Sequence, residues 1–559
     1  VKRLETGTLY FNYLRMKKSI FLSIASIALV MSSCASKLEV TPPNNITDEQ
    51  IQDMIMNGSE ETKTMIMSAL ATPLVRYMNF SGINGVGGAD PRYYSYQGLD
   101  WVRNIKGNDV VFGYNSDAND LAGKSEYNFT FTFTSKVNTS PFWFGYAYSI
   151  NQANVVLGYF TEEATKVSDL FKDGRARALL VRAYSYLCLM ENFQDAYTNG
   201  GKDKLGMSLY KVYDPMQDPV ARSSAQETYD FIISDIQEAI SLLTAANIGY
   251  TKEKLDDFDL GVANFLLARA ALEYGDYATC RKACESIIGS GAYGFIKEAN
   301  YGGHNTGKDM TGANVEFFPE TNAFNYLAVN PECILGYTRS SSYVSTTLSS
   351  LANPFGSYAS SKVFARIDDR LYEKINANDF RKDSFYTGEI GDYQGDKSTW
   401  YIPDYCGLKF AATVGLNADG SHSDNKKTGD QEYCKFRLSE VYLMLAEAQL
   451  GEGNESGAKT TLNTLLAART KAGAAAMTVD NYTTPSMSVS EMIRLQWSIE
   501  MWCEGGREFF NNKRWGVNVD RTSSKTHVSK NVYKWQDMTC ELPERELEDN
   551  PKAQPNFNK

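Results

Sequence analysis

The sequence predicts a mainly α-helical protein, in which repeated, tetratricopeptide-like helical hairpins form a scaffold that is interrupted by long loop-rich insertions. Three observations predict this fold class. Two distant segments match at a constant offset, apolar stripes recur at helical spacing, and long stretches between the stripes lack any helical period. The matching positions are Leu267, Ala268, Gly275, Cys280, Cys284 and Ile287 in the first segment, and Leu445, Ala446, Gly453, Ala458, Leu462 and Leu465 in the second.

The first element along the chain is a short apolar segment. Lys17 and Lys18 precede an apolar run over 20–31, which is followed by small residues and Cys34. This run is shorter than the ~20 residues that a membrane-spanning helix needs. It resembles a bacterial lipoprotein signal, which is cut before a cysteine that then carries lipid. We therefore expect residues 1–33 to be upstream residues and signal peptide, and Cys34 to be the lipidation site. The alternative is an ordinary secretory signal with an incidental cysteine.

The composition excludes some classes of partner and ligand. The chain carries 67 acidic and 56 basic side chains, a formal net charge of −11, and such a surface repels nucleic acid. Eight of the nine cysteines follow Cys34, and in an exported protein the sequence leaves open whether these eight pair. No Cys-x-x-Cys occurs and there are only three histidines, so we expect neither a metal site nor a cofactor.

The helical hairpins follow in chain order. Apolar stripes predict helices over 144–159, 174–191, 224–243 and 261–274. The hairpin turn at Gly275-Asp276-Tyr277 fits the tetratricopeptide pattern, whose units bury their apolar faces only by stacking on one another. We expect tetratricopeptide-like repeats over about 144–291 and 433–516, with loop-rich insertions over about 75–140, 292–365 and 386–432.

Several motifs in order give the chain a family resemblance. They are Cys34–Pro43, Arg177–Tyr184 with Asn192–Asp195, Arg222–Ser224 before Tyr229–Ile232, Phe436–Leu443 with Ala446–Ala448, Glu504–Arg507, Arg514–Gly516 and Leu542–Glu546. In this order they resemble the SusD/RagB family of nutrient-uptake outer-membrane lipoproteins, over nearly all of the chain after the signal. One departure is Gln496, which stands where the family usually has an arginine.

The resemblance implies a function and a set of partners. It implies a lipoprotein anchored in the outer membrane at the cell surface, as a lid on a TonB-dependent transporter of the SusC type. Such a protein captures an oligosaccharide or polysaccharide and passes it to the transporter without cleaving it.

A carbohydrate site needs aromatic platforms with polar groups beside them. The densest such cluster in the sequence lies over 92–104, and two tyrosines in the later insertion could add to it. The candidate ligand-binding residues are Arg92, Tyr93, Tyr96, Asp100, Trp101, Asn104, Tyr301 and Tyr343. The alternative is that these aromatic residues pack on the scaffold.

Other conspicuous residues are expected to be structural. Trp143, Trp502 and Trp515 have apolar neighbours and should lie in the core. Four charged motif residues are expected to form structural ion pairs, namely Arg182, Arg437, Glu447 and Arg507.

The sequence leaves other functions open. It contains no Gly-x-Ser-x-Gly, P-loop or His-Glu-x-x-His, and its carboxylate pairs are of a kind common in acidic proteins, so we expect no enzyme. A glycosidase would release reducing sugar. Capture of peptides or another nutrient is a further alternative, and so is an envelope interaction protein without a small ligand.

Overall fold

α-Helices are the main secondary structure of the described residues in a computed structural model. The structure describes residues 46–79, 96–112, 140–251, 254–303, 322–338, 365–387, 404–411, 432–527 and 530–556. The predicted lipidation site Cys34 lies outside these residues, and so does most of each predicted insertion.

Fifteen α-helices are found in the described residues. They are α1 (Asp48–Asn57), α2 (Glu60–Leu70), α3 (Tyr96–Asn104), α4 (Ser140–Tyr159), α5 (Glu162–Val167), α6 (Asp169–Phe193), α7 (Ala225–Ala245), α8 (Leu260–Tyr274), α9 (Tyr277–Gly289), α10 (Asp369–Lys374), α11 (Leu438–Gly451), α12 (Glu455–Ala468), α13 (Val489–Glu500), α14 (Arg507–Trp515) and α15 (Glu544–Asp549). The fold is therefore mainly helical, as the sequence predicts.

Short strands form pairs, some of which join parts of the chain that are far apart in sequence. They are β1 (Val110–Phe112), β2 (Leu205–Ser208), β3 (Arg222–Ser224), β4 (Cys333–Tyr337), β5 (Ala365–Ile367), β6 (Tyr433–Arg437), β7 (Val519–Asp520) and β8 (Val532–Tyr533). Within the described residues they form antiparallel pairs, β1 with β5, β2 with β3, β4 with β6 and β7 with β8. Of these, β1 with β5 and β4 with β6 join the distant parts of the chain. The sequence analysis did not predict them.

The two matching segments form equivalent helical hairpins. Helices α8 and α9 make the first hairpin and α11 and α12 the second, and α9 packs against α11. Gly275 ends α8 with φ of +83°, and Gly453 follows α11 with φ of +79°, which is the left-handed backbone that favours glycine. The predicted repeat is confirmed at both turns.

The helix boundaries come close to those expected. Helix α6 is longer than the predicted 174–191 because Ser168 caps it, accepting a hydrogen bond from the N–H of Leu170. Helix α7 begins with a capping box, in which Ser224 and Glu227 satisfy each other's backbone N–H groups. From Ala176 to its end every residue of α6 is buried, so this helix lies in the core, packed against α4 and α7.

The predicted structural roles of the motif residues are confirmed. Arg182 pairs with Asp235 at 2.7 Å, and Arg507 pairs with Glu191 at 2.9 Å. Glu447 accepts from Arg514, Trp497 and Trp515. Of the three tryptophans expected in the core, Trp143 and Trp502 are buried, whereas Trp515 is half-buried.

All eight cysteines after Cys34 are free thiols, and seven of them are buried. Cys280 and Cys284 lie on the buried face of α9, where they pack like small apolar residues. None of the helices in the described parts of the chain combines the length and apolar character needed to cross a membrane.

Candidate functional site

The aromatic segment that the sequence singles out is described in part. Its helix α3 begins at Tyr96, so Arg92 and Tyr93 lie outside the described residues, as does Tyr343 in the later insertion. The backbones of Tyr96 and Trp101 belong to α3, but their side chains also lie outside the described part. The prediction that these five residues contact ligand therefore stays a prediction.

Helix α3 is fastened to the scaffold by charged groups. The buried carboxylate of Asp100 pairs with Arg103 at 2.8 Å and accepts a hydrogen bond from the hydroxyl of Tyr433 at 3.1 Å. Arg103 in turn donates to the hydroxyl of Tyr146 at 3.2 Å, and its guanidinium lies 5.1 Å from the ring centroid of Phe510. Asp100 thus joins α3 to β6, and Arg103 joins it to α4 and α14.

Two other predicted ligand-binding residues are buried. Asn104 is 5% exposed, at the end of α3. Tyr301 is 1% exposed, with its ring centroid 5.0 Å from that of Phe324 and 5.3 Å from that of Phe380. Asp100, Asn104 and Tyr301 are thus part of a packed framework, and the prediction that they contact ligand stays a prediction.

A buried ion cluster supports this framework. Glu500 is fully buried and accepts hydrogen bonds from three arginines, at 2.7 Å from Arg381, 2.6 Å from Arg437 and 2.9 Å from Arg469. Burial alone would raise the pKa of Glu500, but the three guanidinium groups hold that pKa well below its usual range. The cluster ties the end of α13 to three other parts of the chain. The sequence analysis predicted an ion pair for Arg437. It missed the partners Glu500, Arg381 and Arg469, because these residues lie far apart in sequence.

A carboxylate from α14 contacts the backbone that follows α3. Glu508 on α14 accepts hydrogen bonds from the backbone N–H of Asn108 at 2.5 Å and of Asp109 at 2.9 Å. Gly107 makes this approach possible, because a Cβ there would lie 1.8 Å from a carboxylate oxygen of Glu508. The 105–109 backbone is therefore positioned by α14, and the sequence analysis did not single out Asp109 or Glu508. The glycine directly before Asn108 and Asp109 is the only local signal.

No grouping of three or more His, Cys, Asp or Glu side chains that could hold a metal ion is present in the described residues. What the described part of the site offers is a rigidly held helix with an aromatic segment leading into it. Such an arrangement can position side chains for binding.

Two family models match the chain, one after the other. The model described as "Starch-binding associating with outer membrane" matches residues 93–253, and the model described as "SusD family" matches residues 302–558. The first match begins at Tyr93, inside the aromatic segment.

Solved structures share the fold over almost their whole length. A SusD-like carbohydrate-binding protein from Bacteroides vulgatus has a TM-score of 0.66 at 18% identity, covering 89% of this chain and 98% of that one. A SusD superfamily protein from Bacteroides thetaiotaomicron has a TM-score of 0.64 at 18% identity, covering 88% and 99%. A third, from Parabacteroides distasonis, has a TM-score of 0.62 at 15% identity, covering 90% and 100%. No curated protein matches the chain.

Proposed function

Because the chain belongs to the SusD family, we propose that it binds an oligosaccharide or polysaccharide at the outer membrane and delivers it to a TonB-dependent transporter of the SusC type. One observation carries the proposal: the two family models match in chain order, and the one that includes the aromatic segment is described as starch-binding and associating with the outer membrane. The B. vulgatus structure described as carbohydrate-binding agrees with it.

The described geometry supports a binding role for the segment around α3. The contacts of Asp100 and Arg103 fasten this helix to three other elements, so the backbone that carries its aromatic residues is held in place. A fixed platform lowers the entropy that binding costs. We propose that Tyr93, Tyr96 and Trp101 supply the sugar-facing surface, with Arg92 and Tyr343 as further contacts.

The binding test uses the protein from Cys34 onwards, with Cys34→Ser so that it stays in solution. Affinity electrophoresis and calorimetry against plant, host and microbial polysaccharides should find at least one ligand, with no reducing sugar released. Trp101→Ala should weaken that binding by up to about tenfold, since an aromatic contact contributes about 0.5–1.5 kcal/mol beyond the area that it buries. Trp535→Ala is the matched control, because Trp535 is half-buried and lies outside the aromatic segment.

The outcomes separate the proposal from its alternatives. Loss of binding in Trp101→Ala alone supports the site. Equal loss in both variants, or no loss in either, removes Trp101 from it. Binding of peptides instead of any glycan would point to another nutrient, and release of reducing sugar would make the protein an enzyme.

We also propose that Cys34 carries the lipid that holds the protein in the outer membrane. Metabolic labelling with an alkyne fatty acid should mark the wild-type protein and leave Cys34→Ser unlabelled. Several acyl chains are needed for stable anchoring, so the variant should also leave the membrane fraction. A labelled, membrane-bound variant would refute the assignment.

Delivery to the transporter makes a separate prediction. Gentle detergent extraction of outer membranes should recover the wild-type protein together with a β-barrel transporter. Recovery of the protein alone, with its glycan affinity intact, would leave binding standing and remove the transporter from the proposal.

A further inference from the structure

A cleft with a volume of about 430 Å³ lies beside the segment that follows α3. Its lining comes from this segment and from α10, α13 and α14. That volume lies within the usual range of small-molecule sites, roughly 300–1,000 Å³. The cleft residues are described throughout, so its chemistry can be derived from their contacts.

One end of the cleft holds a carboxylate with an unused oxygen. Asp109 lines the cleft and is 8% exposed, and its Oδ2 is buried with no hydrogen-bond partner in the described structure. Leaving a buried polar atom unpaired costs free energy, and each such atom in a native protein calls for an explanation. A ligand that donates to this oxygen is one explanation.

The neighbouring carboxylate cannot be the missing partner unless it holds a proton. Glu508 already accepts from the backbone N–H groups of Asn108 and Asp109, and from the side-chain amide of Asn512 at 3.2 Å. The two acids lie next to each other at the same end of the cleft, and neither forms a salt bridge within the described residues.

Burial and the charge of Glu508 raise the pKa of Asp109 well above its usual range. Asp368 raises it further, whereas a hydrogen bond from Ser498 and the charge of Lys374 lower it. Burial also raises the pKa of Glu508, against the hydrogen bonds it accepts and the charge of Arg521. A cation placed here would favour the ionised form of both acids.

The basic side chains that line the cleft are exposed or are engaged by other groups. Arg370 is engaged by the carboxylate of Asp368 at 2.8 Å and by the backbone carbonyl of Asp520 at 2.8 Å. Arg494 is exposed, and its guanidinium lies 6.0 Å from the ring centroid of Trp515. Lys374 is exposed as well.

The remaining lining is mixed. The acidic side chains in it outnumber the basic ones, and an apolar part is supplied by Leu371, Met487, Leu495, Trp515 and Val517. An apolar body with a positive end would therefore match the lining.

We propose that this cleft binds a small organic molecule with an apolar body and a primary ammonium group, with the ammonium donating a hydrogen bond to Oδ2 of Asp109. The ammonium supplies the missing donor and counter-charge, and the apolar body lies against Trp515, Met487 and Leu371. Any proton held by the acid pair is released to solvent on binding. This site goes beyond the proposed carbohydrate function and does not depend on it.

The test compares two probes of the same shape, phenethylamine and phenethyl alcohol. Calorimetry at pH 7 with the Cys34→Ser protein should show saturable binding of the amine at millimolar concentration or below. The alcohol should bind about tenfold or more weakly, since a charge-assisted hydrogen bond contributes about 1.5–3 kcal/mol. Repeating the amine titration in buffers of different ionisation enthalpy should reveal proton release.

The variant Asp109→Asn keeps the shape of the side chain and removes its charge. It should weaken amine binding about tenfold or more and abolish proton release, while its melting temperature stays equal to the wild type or rises. Asp230→Asn is the matched control, because Asp230 is exposed and contacts Tyr274 on a distant hairpin. It should leave amine binding unchanged.

Three results would overturn the proposal: equal affinity for amine and alcohol, unchanged amine binding in Asp109→Asn, or no amine binding at millimolar concentration. Because the probes are not sugars, none of these results bears on glycan binding. A loss of glycan binding in Trp101→Ala would likewise leave this site untouched.

Discussion

At the residue scale, the carboxylate of Glu500 is the centre of the most heavily charged part of the core. Its three arginine partners come from different elements and are at most 1% exposed. Gln496, the departure from the family pattern, accepts a hydrogen bond from one of them, Arg381, at 2.6 Å. Gln496 therefore supplies one of the hydrogen-bond acceptors of the Arg381 guanidinium.

Replacing Glu500 with glutamine should be strongly destabilising. Glu500→Gln leaves three buried guanidinium groups with one counter-charge fewer, and breaking a buried pair in this way costs about 3–5 kcal/mol. Urea unfolding measures the loss. Glu285→Gln is the control, because the ion pair of Glu285 with Arg281 is exposed on α9 and should contribute about 0–1 kcal/mol. Similar small losses in both variants would contradict a central role for Glu500.

The cost of Glu500→Gln should depend on pH with a defined sign. The arginines hold the pKa of Glu500 well below its usual range in the folded protein, so the carboxylate stabilises the fold above the unfolded-state pKa of about 4.5. This stabilisation is lost as the pH falls from there through the folded-state pKa. The difference in unfolding free energy between wild type and variant should therefore be constant between about pH 6 and about pH 7, and it should shrink at acidic pH. A difference that grows in acid would contradict the assignment.

At the element scale, the two matched hairpins show how equivalent turns differ in their surroundings. Both turn glycines have positive φ, so either would be strained by a side chain. A Cβ at Gly275 would lie 2.8 Å from Cγ2 of Thr198, whereas a Cβ at Gly453 would meet nothing within 4 Å. In the described structure, a Cβ would therefore meet a neighbouring side chain at Gly275 but not at Gly453.

Alanine at these two positions separates backbone strain from packing. Gly453→Ala should cost about 1 kcal/mol, which is the penalty for the left-handed backbone alone. Gly275→Ala should cost more, because Thr198 must also move. Thermal unfolding of the two variants measures the difference, and the double variant Gly275→Ala with Thr198→Ser should recover part of it. Equal costs at both glycines would show that the contact with Thr198 is unimportant.

At the scale of the whole molecule, burial controls the chemistry of the cysteines. Burial raises the pKa of Cys188 to about 11 and that of Cys503 to about 12, so few thiolates are present at neutral pH. Cys333 of β4 and Cys434 of β6 lie in one small apolar cluster with Leu327. The free thiols act in this fold as core residues.

The folded protein should therefore react slowly with thiol reagents. With Cys34 replaced by serine, titration at pH 7 should find close to no reactive thiol in the native state and all eight after denaturation. Mass spectrometry of the alkylated protein identifies each site. Fewer than eight after denaturation without reductant would show that some of them pair as disulfides, contrary to the structure.

The sequence by itself determined the helical class, the repeat and its glycine turns. These follow from local rules: apolar spacing defines a helix face, and a left-handed turn favours glycine. Order of motifs along the chain also determined the family. Charged motif residues such as Arg182, Arg437 and Arg507 were correctly expected to pair, because buried charges need partners.

Only the tertiary structure decided which residues these charged groups pair with, and which candidate residues face the core. Asp100 and Tyr301 are residue types that are common in sugar sites. In the structure, Asp100 accepts a hydrogen bond from Tyr433, which is 333 residues away, and Tyr301 is enclosed by an aromatic cluster. The contact between Asp109 and Glu508 likewise joins residues that are 399 positions apart in sequence. Local pattern records which face of an element is apolar, but not which distant side chain meets it, since that depends on how the elements pack in three dimensions.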